Sequence, residues 1–232
     1  MITESKKLIH AAVLFMLLVF PLSAAASGHV VVIDPGHGAA NKGVTLSRNV
    51  HEKDVTLAVA RLVKKSLSGV NNIRIRLTRL DDRDVSMANR KKIVERSNAD
   101  LFISLHVNAG FGQNAEGYEI YYLGSTVPSA KKSNSGEILK DMEQTRRLNN
   151  SVRFAQIVQK NVGRVFPRKG RGLRNAPVLV LQSLTAPAVL LEAGFATNLK
   201  DRKKLKDEKI QKDIADALTK SIKEYFSTGG AS

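Results

Sequence analysis

Short aliphatic runs of strand length alternate with longer amphipathic stretches from His29 nearly to the end of the chain, and this alternation restricts the fold more than any other feature. The strand-like runs are "HVVVID" (His29–Asp34), "IRIRLT" (Ile73–Thr78), "LFISLH" (Leu101–His106), "GYEIYYL" (Gly117–Leu123), "PVLVL" (Pro177–Leu181) and "AVLLE" (Ala188–Glu192). Between them, Glu52–Ser68 sets Val55, Val59, Leu62, Val63 and Leu67 at helical spacing. Ser86–Ser97 reads as a helix capped by Ser86, Glu137–Asn149 as a weaker one, and Ser151–Phe166 as a clear one through Phe154, Val158, Val162 and Val165. Asp201–Phe226 closes the series with Ile210, Ile214, Leu218, Ile222 and Tyr225 on one face. Strands and helices in this order predict an α/β fold: a single domain with a twisted, mostly parallel central sheet and helices on both faces. With 232 residues, 43% of them hydrophobic, the chain can bury one substantial core, and no Pro/Ser-rich linker or internal repeat divides it.

The first 26 residues stand apart. Lys6-Lys7 precede a charge-free run from Leu8 to Leu22, and small residues follow at Ser23–Ser27. A positive segment, an apolar segment and an A-x-A site are the parts of a secretory signal, expected to be cut after Ala26. The apolar run falls short of the roughly 20 residues that span a bilayer, so no stable membrane anchor is expected after cleavage. The expected organisation is a leader at 1–26 and one domain at 27–232, exported across the inner membrane to a periplasm or cell wall.

Three polar groups end strand-like runs: the "DPGHG" turn carrying His37, His106 closing "LFISLH", and Glu192 closing "AVLLE". Ligands in open α/β sheets bind beyond the carboxyl ends of the strands. The chain has no cysteine, so a metal site must draw on His and carboxylates. A hydrolytic zinc site needs three such ligands and an open position, with a separate carboxylate to move protons. His37, Glu52 and His106 can be the ligands and Glu192 the base. Each also has a plainer reading: His37 as a turn residue, His106 as a core histidine, Glu52 as a first-turn acid favoured by the helix dipole. Glu192 is the hardest to dismiss, since an acid ending so apolar a strand is costly unless partnered. Wide spacing alone leaves both sets of readings open. "GHGAANKG" is glycine-rich after a strand but lacks the G-K-[ST] and G-x-G-x-x-G patterns of phosphate loops.

"VVIDPGHGAANKG", "HEKDVTLAVA", "LTRLDDRDVSMANRKKIVERSNADLFISLHVNA" and "APAVLLEAGFATN", in that order, resemble the blocks of the zinc-dependent N-acetylmuramoyl-L-alanine amidases of the bacterial division-amidase (Amidase_3) family. The similarity runs from His29 to Phe226. It implies zinc held by His37, Glu52 and His106, catalysis by Glu192, and hydrolysis of the amide between the lactyl group of N-acetylmuramic acid and L-alanine in peptidoglycan. Arg79, Arg83 and Arg90 fall in a matching block and are read as supporting rather than catalytic, and Asp34 as a residue that orders the loop; Asn108 lies beside the His106 loop, and the sequence assigns it no role. Some relatives carry an insertion after the "EIYYL" strand whose acid fills the open zinc position. Residues 124–150 resemble the tail of one, with Glu137, Asp141 or Glu143 as the plug and an activator protein as the release; an exposed solvated helix is the other expectation.

The formal net charge is +16, which favours anionic partners. The basic residues are scattered, Arg174 among them, and aromatic residues make up 5% of the chain, too few to interleave as a base-stacking platform. Peptidoglycan rather than nucleic acid is the expected partner, and the chain is expected to be a monomer. Two other functions fit the composition: a non-catalytic basic wall-binding module, or a zinc amidohydrolase acting on a different wall amide.

Overall fold

The structure is a computed structural model that describes residues 28–124, 135–167 and 172–229. The expected leader and the first part of the expected insertion, residues 125–134, lie outside the described residues. Among the described residues no helix is long and apolar enough to cross a membrane.

In chain order the elements are β1 (His29–Pro35), β2 (Thr45–Ser47), β3 (Val50–His51), α1 (Glu52–Leu67), β4 (Ile73–Leu77), α2 (Met87–Arg96), β5 (Leu101–Asn108), β6 (Glu119–Tyr122), α3 (Ser135–Val162), β7 (Gly172–Asn175), β8 (Ala188–Phe195), α4 (Leu199–Leu205) and α5 (Glu208–Ser227). Six strands form one sheet in the order β4-β1-β5-β8-β6-β7, and β2 and β3 make a separate small hairpin. Every pairing in the large sheet is parallel except β6 against β8. The sheet is therefore the mostly parallel one expected.

Both faces are covered, and alternation along the strands shows how. Val31 and Ile33 of β1, Leu101, Ile103 and Leu105 of β5, and Val189 and Leu191 of β8 point into the larger core with α1, α3 and α5. Their neighbours Val32, Phe102 and Leu190 point the other way, into a smaller core with Val94 of α2 and the 3-10 turn Leu179–Leu181. A period of two in each strand buries both sets. The second face is thinly covered, and the polar residues at the strand ends open onto it.

Three elements differ from the sequence expectation. Pro177–Leu181 is not a strand: its apolar residues form the 3-10 turn, with Val180 and Leu181 buried, and a short apolar run cannot by itself distinguish the two. The strand in that region is β7, polar and only four residues long. Glu137–Asn149 and the first part of Ser151–Phe166 are one helix, α3, since neither Gly nor Pro interrupts residues 137–162; it ends at Val162, before Gly163, and its buried residues lie only in the second half, from Ser151 onward. The expected Asp201–Phe226 helix is two, because Asp207 caps a new start by accepting from Lys209 N at 2.8 Å.

Candidate active site

The loop after β1 carries His37 in a left-handed conformation, φ 62°, which an L residue adopts at a cost. Two buried arginines hold it there. Arg79 donates through Nε to Pro35 O (3.0 Å) and through Nη2 to Gly36 O (2.9 Å). Arg90 donates to Pro35 O (3.0 Å) and His37 O (2.8 Å) and pairs with Asp34. Asp34, 1% exposed, also accepts from Thr78 Oγ1 (2.5 Å) and Ser104 Oγ (2.9 Å). Asp34, Arg79 and Arg90 are thus the clamp that orders the turn. Arg83 is exposed, pairs with Asp81, and takes no part in it through its side chain.

Glu52 is the first residue of α1, a helix whose start is closed by Asp54 accepting from His51 N at 2.9 Å. That start places a buried carboxylate between the two strand ends. Its Oε1 lies 3.0 Å from His37 Nε2 and 2.9 Å from His106 Nδ1 and accepts from Val107 N at 2.9 Å; its Oε2 accepts from Val44 N at 2.9 Å. Burial alone would raise the Glu52 pKa, but the hydrogen bonds from His106, His37 and Val107 outweigh it and bring it down to about 2. The hydrogen bond to Glu52 in turn raises His37, against the opposing effect of burial.

One ligand atom from each of His37, Glu52 and His106 lies within 4.8 Å of the other two. Ligands about 2.0–2.1 Å from a tetrahedral metal stand about 3.3 Å apart, close to the spacings seen here, so the donor set fits a divalent ion. Asn41, unremarked in the sequence, prepares it. Asn41 Oδ1 accepts from Gly43 N (3.3 Å) and meets His37 Nδ1 (2.8 Å). An oxygen that takes both must receive a proton from Nδ1, so when the ring gives up the Nε2 proton it shares with Glu52, the lone pair that a metal needs is left on Nε2. Two glycines make the close approach possible. A Cβ on Gly36 would lie 2.5 Å from the His106 ring, and one on Gly43 would lie 2.3 Å from Glu52 Oε2.

Glu192 sits on β8 in register with His106 of β5 on one side and Glu119 of β6 on the other. Its Oε2 is buried and, among the described residues, has no hydrogen-bond partner. Burial first, then the charges of Glu52 and Glu119, push its pKa up to about 8. Asp201 fixes this part of the sheet, its Oδ2 accepting from Gly117 N (2.7 Å) and Phe195 N (3.1 Å). Asn108 orders the turn after β5, accepting from Gly110 N at 2.8 Å and donating to Glu119 Oε2 at 3.0 Å. Glu119, Tyr121 and Arg174 adjoin the site and gave no sequence signal, because only strand pairing brings them there.

The proposed plug residues are placed differently. Glu143 lines a groove with Ala99, Asp100 and Thr185–Pro187, residues that precede β5 and β8, at the end of the sheet opposite His106 and Glu192. Glu137 is exposed. Asp141 is half-buried, and among the described residues none of the three acids joins the trio at metal-ligand distance.

The N-acetylmuramoyl-L-alanine amidase family profile matches residues 31–224. AmiC of Escherichia coli O6:H1 is 27% identical over 222 residues, covering 86% of this chain and 53% of that protein, so the chain spans about half the length of that relative. AmiA of Escherichia coli K12 is 29% identical over 85% of this chain and 76% of its own length. Among solved structures, the catalytic domain of CwlV, an N-acetylmuramoyl-L-alanine amidase from Bacillus (Paenibacillus) polymyxa var. colistinus, superposes with a TM-score of 0.70 at 32% identity, over 86% of this chain and 98% of that one. The chain belongs to the Amidase_3 family of N-acetylmuramoyl-L-alanine amidases, hydrolases of the peptidoglycan cell wall.

Proposed function

We propose that this cleft hydrolyses the amide between the lactyl group of N-acetylmuramic acid and L-alanine of the stem peptide, with zinc held by His37, Glu52 and His106 and with Glu192 as the catalytic base. The observation that carries this is the convergence of three ligand atoms within 4.8 Å beside a buried carboxylate oxygen that has no hydrogen-bond partner among the described residues. A wall-binding module has no use for such an oxygen, and leaving it unpaired costs stability.

Such an ion supplies Lewis acidity toward the scissile carbonyl and toward water. The protein groups do the rest. Glu52, with its pKa near 2, is ionised at neutral pH and so available as a ligand. Asn41 sets the His37 tautomer. Glu192 takes the proton from the attacking water and delivers it to the departing amine of L-alanine. The substrate lies outside the cytoplasmic membrane, and the leader at residues 1–26 would carry the domain there.

Glu192→Gln tests the assignment. The variant should hold one zinc per chain, as the wild type should, while release of stem peptides beginning with L-alanine falls about 10²–10⁴-fold, followed by mass spectrometry of digested wall. Undiminished release would remove Glu192 from the mechanism, and loss of zinc would make it a ligand instead of a base.

A further inference from the structure

We propose that Arg174 receives a free carboxylate of the stem peptide, and that Glu119 holds it in place to do so. The proposal rests on the amidase function above and names a contact on the leaving-peptide side of the same site.

Glu119 is 4% exposed and stands in register beside Glu192, where a second negative charge works against ionisation of the first. Its surroundings give a reason for it to be there. Oε1 forms an ion pair with Arg174, 2.8 Å from Nε, and Oε2 accepts from Tyr121 OH at 2.7 Å and Asn108 Nδ2 at 3.0 Å. Partners from β5, β6 and β7 fix the carboxylate, and the carboxylate holds the guanidinium by its Nε edge. Among the described residues no hydrogen bond engages Arg174 Nη1 or Nη2, and the side chain is 42% exposed. An arginine held through Nε, with its terminal nitrogens open, is oriented to take a carboxylate from solution.

Sheet geometry sets the distance. Arg174 pairs in register with Tyr121, and Glu119, Tyr121, Arg174 and Glu192 share one face of the sheet because they occupy paired or alternate positions. The β7 strand lies two strand spacings from β8, about 10 Å, and the Arg174 side chain turns back toward Glu119. Two residues of extended peptide span at most about 7 Å. A peptide whose scissile bond lies at Glu192 therefore brings the carboxylate of its second residue within reach of Arg174. In the stem that residue is a D-glutamate joined through its γ-carboxyl, so its α-carboxylate is free unless the wall is amidated. As the edge strand, β7 leaves the rest of the stem room to run outward.

The test compares wall-derived disaccharide-peptides that differ only at this group, the α-carboxylate or its amide. The wild type should favour the acid about tenfold in KM with similar kcat, the scale of a partly exposed charge-assisted hydrogen bond. Arg174→Gln should bring the acid-to-amide ratio close to one, Arg174→Lys should restore part of it, and Glu119→Gln should fall between. Equal cleavage of both substrates by the wild type, or an Arg174→Gln loss equal on both, would overturn the proposal and leave Arg174 a scaffold residue. Cleavage of neither by the zinc-loaded wild type would instead overturn the amidase function, and the proposal with it.

Discussion

Alanine in place of Gly43 would put a methyl group into the space where Glu52 and His37 meet. Its Cβ would stand 2.3 Å from Glu52 Oε2, 2.7 Å from His37 Cδ2 and 2.8 Å from Glu52 Cβ, on a backbone with φ +65°. Ordinary carbon contacts begin near about 3.5 Å, so the Glu52 carboxylate must retreat by roughly 1 Å or the loop must open. The left-handed backbone costs an alanine about 1 kcal/mol and the overpacking about 1–3 kcal/mol. Together these should lower the Tm of the metal-free protein by about 5–15 °C for a domain of this size. Because the displaced group is a proposed ligand, zinc affinity should also fall about 10–100-fold. Gly69→Ala is the control: nothing lies within 4 Å of its Cβ, and its effect should stay within about 0.5 kcal/mol. Thermal unfolding in a chelator gives the first quantity and competition with a chromophoric chelator the second. A Gly43→Ala protein that melts like Gly69→Ala and binds zinc like the wild type would refute the idea that this glycine makes room for the ligand cluster.

Two further outcomes follow from the buried charges. In the metal-free protein Glu192 keeps its proton up to about pH 8, whereas the unfolded chain releases it near 4.5; between these values the folded state holds the extra proton, so stability falls as pH rises. Glu192→Gln removes that dependence, and its advantage over the wild type should grow by about 3 kcal/mol between pH 5 and pH 9, allowing for partial exposure; a difference constant with pH in denaturant melts would show the carboxyl to be well solvated. Arg90→Leu leaves Asp34 without its charge partner, leaves the carbonyls of Val85 and His37 without a side-chain donor, and leaves Pro35 O with Arg79 alone. It should destabilise by about 3–5 kcal/mol in urea unfolding, and a loss below about 1 kcal/mol would mean that the loop is held by other contacts.

The alternating aliphatic runs were enough to place β1, β4, β5 and β8 and to put His37, His106 and Glu192 at strand ends, because buried parallel strands announce themselves by composition. Glu52 was legible through its place at a helix start. β7 was not: "GLRN" is short, polar and paired on one side only, so it carries neither a hydrophobic run nor an alternation. With β7 unseen, Arg174 looked like one more solvated charge, and Glu119 had no visible link to Glu192, since strand order is a matter of tertiary pairing. Asn41 and Gly43 act through contacts of about 3 Å within an irregular loop, where no periodicity exists to read. The supposed break within α3 came from expecting the amphipathic pattern to continue; its first half carries exposed Ile138, Leu139 and Met142 and is helical without a face to bury.

Anomalous diffraction at the zinc absorption edge from crystals of the zinc-loaded protein tests the central claim most directly. One peak is expected in the cleft, about 2.0–2.2 Å from a ring nitrogen of His37, a ring nitrogen of His106 and a carboxylate oxygen of Glu52, with the Glu192 carboxylate close by but outside bonding distance. A peak elsewhere, or one bonded to Glu192 in place of Glu52, would contradict it.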